Sequence, residues 1–179
     1  MLGRLGVFVA IVVSLAGSLA FAQDASLRRQ MALLLYSYDT PTEAQWRSLD
    51  QGAQAMLIRI ASSSDQPRRA RLRSLSALEF FPSDQTRRYL RKVLFGKRTE
   101  SVYTRRAAIA LARGFGGSTL DDLASRLKDK RVDVRRSIVT AISMIDDERV
   151  PAILGQHLKR ESDDSIRRSI QALSAHHDD

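Results

Sequence analysis

The stretch Leu127-Lys128-Asp129-Lys130-Arg131-Val132-Asp133-Val134-Arg135-Arg136-Ser137-Ile138 decides how this chain folds. A leucine closes one apolar run, a short charged loop follows, and branched apolar residues with arginine open the next run. Downstream, Val134, Ile138, Ala141, Ile142 and Ile145 fall at i, i+4, i+7, i+8 and i+11, which is one face of a helix. The same passage returns as Leu158-Lys159-Arg160-Glu161-Ser162-Asp163-Asp164-Ser165-Ile166-Arg167-Arg168. Paired arginines mark each return, at Arg68-Arg69, Arg105-Arg106, Arg135-Arg136 and Arg167-Arg168, with spacings of 37, 30 and 32 residues. A period in the thirties is the mark of a helical solenoid, where each unit buries its apolar face only against its neighbours.

Working outward, the spacing predicts a helix over 132–145 and a partner over 148–160 carrying Val150, Ile153, Leu154 and Leu158. Only Asp146-Asp147 separates them, and so short a link makes an antiparallel hairpin. A second hairpin is expected from 102–113 (Ala108, Leu111, Ala112) and 119–128 (Leu120, Leu123, Leu127). It breaks at Gly114-Phe115-Gly116-Gly117, with Ser118 as N-cap and Asp121 in the first turn. A third pairs 68–80 (Leu72, Leu75, Leu78) with 84–95 (Leu90, Val93, Leu94), with Ser83 as cap. The last helix, 165–175, uses Ile166, Ile170 and Leu173. No segment shows sustained strand alternation. The expected fold is therefore all-α, a solenoid of about nine helices in antiparallel hairpins.

Residues 23–61 fit the period less well and are read as an atypical capping pair of helices, ahead of repeats over 62–179. One helix is expected over 26–38. Thr40-Pro41-Thr42-Glu43 then supplies an N-cap, a proline at the first helical position and a glutamate at the third, opening a helix that runs to Ala61.

The quoted stretch resembles a HEAT repeat, of the short HEAT-like type also seen in phycobilin lyases. The copy at Leu158–Arg168 is close, Leu94 through Arg106 is looser, and 67–95 is looser still. The resemblance implies a right-handed armadillo/HEAT-like superhelix with a concave binding face, used mostly for protein partners. It implies no lyase activity, because no residue here matches a lyase-specific motif.

Residues 1–22 read differently. Met1–Arg4 are a short positive start, Leu5–Leu19 are apolar or small, and Ala20-Phe21-Ala22 places small residues at −3 and −1 before Gln23. That is the layout of a secretory signal peptide cleaved between Ala22 and Gln23. Cleavage leaves 157 residues and a net charge of +8. The chain has no cysteine, so it carries neither disulfides, thiolate chemistry nor a lipoprotein anchor. The expected location is the periplasm of a Gram-negative bacterium, or outside the cell.

The net charge of +9 is carried by 24 Arg and 5 Lys. Four arginines, Arg69, Arg105, Arg135 and Arg167, are read as structural. Each would bridge repeats by holding a loop acid such as Asp133 or Asp163-Asp164 in its planar fork. Other basic residues fall on second helices, and Arg88, Arg91, Arg126 and Lys159 are the candidate binding residues. A positive face attracts a polyanion of any kind. An acidic protein surface is the expected partner. Nucleic acid conflicts with the export signal and with the scarcity of aromatics for base stacking.

No catalytic constellation is present, so no enzyme activity and no cofactor are expected. His157 is read as a surface residue. His176 and His177 lie in an acidic tail without the fixed geometry of a metal site. Gly114–Ser118 lacks the strand and Gly-Lys ending of a phosphate loop. The reading is a monomeric, exported scaffold or adaptor that binds protein. The alternatives are a basic solenoid binding nucleic acid or another polyanion, and an envelope scaffold tethered by an uncleaved N-terminal segment.

Overall fold

The computed structural model describes residues 24–50 and 52–175, and every regular element among them is helical. They belong to two compact units, Met1–Met56 and Leu57–Asp179. The expected signal segment, its cleavage point at Ala22 and Gln23, and His176 and His177 lie outside the described residues.

In the first unit, helix α1 (24–36) buries Leu27, Met31 and Leu35, a row at i, i+4 and i+8. Helix α2 (Glu43–Arg47) starts two residues later than its sequence suggests. Thr42 is the N-cap, in place of Thr40. Its Oγ1 accepts from the Gln45 N–H at 3.3 Å, and Gln45 Oε1 accepts from the Thr42 N–H at 2.8 Å. Gln45 can close this reciprocal box only with a residue three positions before it, which selects Thr42. Pro41 therefore precedes the cap.

The single helix expected to reach Ala61 is in fact two. Ser48 caps the end of α2, its hydroxyl donating back to the Gln45 carbonyl at 2.9 Å, and α3 (Ala53–Ser62) begins after a turn. Serine, aspartate and glycine at 48, 50 and 52 are poor helix residues, and the Ser48 hydroxyl competes for the backbone. The division between the units, at Met56 and Leu57, falls inside α3.

The second unit is an α-solenoid of hairpins. Its first helices are α4 (Arg68–Ala77, prolonged by a 3-10 turn at Leu78–Phe80), α6 (Ser101–Phe115), α8 (Val132–Ser143) and α10 (Asp164–Ala175). Its second helices are α5 (Asp84–Leu94), α7 (Leu120–Arg126) and α9 (Val150–Leu158). First helices pack in series, and each second helix leans on the first helix of the next hairpin. The second of these first helices, α6, is enclosed on several sides. It can be so because Ala107, Ala108, Ala110 and Ala112 present little bulk, and all four are buried. On α8 the expected row holds: Val134, Ile138, Ala141 and Ile142 are fully buried, and Ile145 just beyond the helix is nearly so.

Ser83 caps α5 as its sequence suggests, accepting from the Thr86 N–H at 3.1 Å. Ser118 does not cap α7. Gly116 ends α6 at φ +55°, a 3-10 turn at Gly116–Thr119 follows, and the Ser118 hydroxyl points back to donate to the Phe115 carbonyl at 2.7 Å. Thr119 stands at the cap position and donates its own hydroxyl to the Gly116 carbonyl at 2.9 Å.

Candidate binding surface

Burial gives the true register of the repeats. On α8 the buried row is Val134, Ile138, Val139, Ala141 and Ile142. The same row recurs on α4 as Ala70, Ser74, Leu75, Ala77 and Leu78, and on α6 as Tyr103, Ala107, Ala108, Ala110 and Leu111. Ile166 and Ile170 continue it on α10. The residue after the first member is then Arg71, Thr104, Arg135 and Arg167. Arg135 and Arg167 thus hold equivalent stations. Arg69 and Arg105 fall outside the series: Arg69 stands one position before the first member of its row and Arg105 two after it, so the paired arginines sit at different helix positions from repeat to repeat. Arg105 is exposed, in register with Arg136. Arg71, which dipeptide matching missed, lies over the Tyr103 ring at 5.0 Å.

The rung at Arg135 shows what this station does. Its fork donates to Glu161 in two bonds, Nε to Oε2 at 2.8 Å and Nη2 to Oε1 at 2.7 Å. Nη1 donates to the Asp129 carbonyl at 3.0 Å. One guanidinium therefore ties the loop before its own helix to the loop of the next repeat. The acceptor is Glu161, which replaces the expected Asp133 or Asp163-Asp164. Glu161 is buried and also accepts from the Asp163 N–H at 2.9 Å. Arg135, with help from that N–H, lowers the Glu161 carboxyl from the ordinary 4.5 to about 2.

Arg167 repeats half of the rung, donating to the Leu158 and Glu161 carbonyls at 3.2 Å each. Asp163 is held by the second arginine of the pair, Arg136, at 3.6 Å. Asp129 occupies the loop position equivalent to Glu161, and hydrogen bonding from Arg131 holds its carboxyl below the usual range. Arg131 also donates to the Thr99 carbonyl at 2.9 Å, a further tie between repeats.

The four candidate binding residues divide into two kinds. Arg91 pairs with Asp122 of α7 at 3.0 Å. Arg126 is largely buried, pairs with Asp129 and lies over the Phe95 ring at 5.9 Å. These two guanidinia serve the stack. Arg88 on α5 and Lys159 at the end of α9 are exposed and form no ion pair with a described residue.

A groove does open between α7 and α9, and sequence reasoning did not foresee it. It measures about 330 Å³ and is lined by Ala124, Leu127 and Ile153, the Asp129, Arg135 and Glu161 rung, and Lys128, Gln156, His157, Arg160 and Ser162. His157, expected at the surface, is 10% exposed in its side chain. Its Nε2 stands 2.9 Å from Glu161 Oε2 without hydrogen-bond alignment. The i, i+4 spacing of His157 and Glu161 was the available signal. Among the described residues no group of His, Asp and Glu could hold a metal ion, and no helix is long and apolar enough to cross a membrane.

Comparison with known proteins agrees with this geometry. A family model of HEAT repeats matches residues 97–174. Residues 97–174 are HEAT repeats. The matched span covers α6 to α10, and within it lie the complete Arg135–Glu161 rung and the groove. No curated protein matches the chain. HEAT repeats commonly serve as protein-interaction scaffolds.

Proposed function

We propose that this chain is an exported, non-catalytic HEAT-repeat scaffold that binds a protein partner on the face made by its second helices. The observation that carries the reading is the division of its cations. Arg131, Arg135 and Arg136 of one loop and first helix are engaged in ties between repeats, whereas Arg88, Lys128, Lys159 and Arg160 stand exposed on the second helices and the loops after them and form no ion pair with a described residue. Charges that hold nothing inside the molecule are available to something outside it. Export is supported by the three-part pattern of residues 1–22, and the absence of cysteine suits an exported chain held by its core alone.

The test is to fractionate cells, determine the first residue of the recovered chain, and capture its partner by chemical crosslinking. The expected chain is periplasmic and begins at Gln23. The double variant Arg88→Glu, Lys159→Glu should lose its crosslinked partner while its thermal unfolding stays unchanged. A chain that keeps Met1 in the cytoplasm, or capture indifferent to both reversals, refutes the proposal.

A further inference from the structure

We infer that the groove between α7 and α9 receives an acidic segment of the protein partner, a carboxylate beside an aliphatic side chain. This inference rests on the scaffold reading and assigns it a place and a chemistry. The groove has an apolar wall in Ala124, Leu127 and Ile153, wide enough at about 330 Å³ for one or two side chains. Its two acids are unavailable. Asp129 and Glu161 have side chains 8% and 1% exposed, and each already accepts from guanidinium and backbone donors. Its outer cations, Lys128 and Arg160, are exposed and form no ion pair with a described residue. A rim whose negative charges are neutralised from within, and whose positive charges are not, selects a negative ligand. The apolar wall favours an acidic peptide over a sugar-phosphate chain, which has no aliphatic group to bury there.

The experiment is a peptide-display selection on the full chain. The strongest enriched peptide is then titrated against isotope-labelled protein. Enriched peptides should pair Asp or Glu with Leu, Ile or Val, and their binding should shift the amide signals of Ala124, Ile153 and His157. The variant Lys128→Glu, Arg160→Glu should weaken that peptide about tenfold or more, with unchanged thermal unfolding. Enriched peptides without acids overturn the inference, as does a reversal without effect. Peptides that shift α5 signals instead overturn the groove and leave the scaffold reading standing. Preferential binding of a 20-nucleotide single-stranded DNA in the groove overturns both. No enrichment overturns the groove alone, since the partner crosslink decides the scaffold independently.

Discussion

At the scale of single residues, the Arg135–Glu161 pair is the most consequential contact in the stack. Both bonds of the fork are made, the carboxylate is enclosed, and the backbone supplies another donor. Removing the guanidinium leaves a buried charge without its partner. Arg135→Leu should therefore destabilise the chain by roughly 3 kcal/mol, read from urea unfolding at neutral pH. The pair also sets a pH dependence. Glu161 titrates near 2 when folded and near its ordinary 4.5 when unfolded. Between those values the unfolded chain binds the extra proton, so stability is full above 4.5 and falls as pH drops toward 2. In Arg135→Leu that acid-side loss should shrink, because burial without the guanidinium raises the Glu161 carboxyl. Unfolding curves measured between pH 5 and pH 2.5 on both proteins check the sign. Neither Glu161 as acceptor nor Arg71 as an equivalent station was legible from the paired arginines, because the dipeptide does not keep one position against the buried row of its helix. The buried row, read from apolar spacing, carries the register instead.

At the scale of elements, the ends of helices were harder to read than their faces. Apolar spacing located the inward rows of α5, α8 and α10. Caps depend on which of several adjacent Ser or Thr residues has a partner three positions on, and Thr42 won over Thr40 through Gln45. Two glycines show opposite uses of that residue. Gly116 turns the chain at φ +55° and ψ −141°, where a Cβ is strained, so Gly116→Ala should cost about 2 kcal/mol. Gly155 lies inside α9 with nothing within 4 Å of where a Cβ would stand. Gly155→Ala should stabilise the chain by about 0.5–1 kcal/mol, because alanine is the better helix former. Thermal unfolding of the two variants, side by side, should move in opposite directions.

At the scale of the whole molecule, the repeat was legible from the arginine spacing and the 3.6-residue rows, and residues 97–174 match HEAT repeats. The binding surface was less legible. The groove is made by residues from three helices and two loops, and no local pattern marks it. Arg91 looks free in the sequence because Asp122 comes near only through the turns of the stack, whereas the partner of Arg126, Asp129, lies only three residues on and was overlooked. The most direct measurement is photo-crosslinking in living cells from single positions of the full chain. A photoreactive residue at Gln156 faces the groove, whereas one at exposed Thr140 lies on first helix α8. A discrete protein adduct from Gln156 and none from Thr140 is the predicted result. An adduct from Thr140 alone, or from neither position, would contradict binding through the second helices.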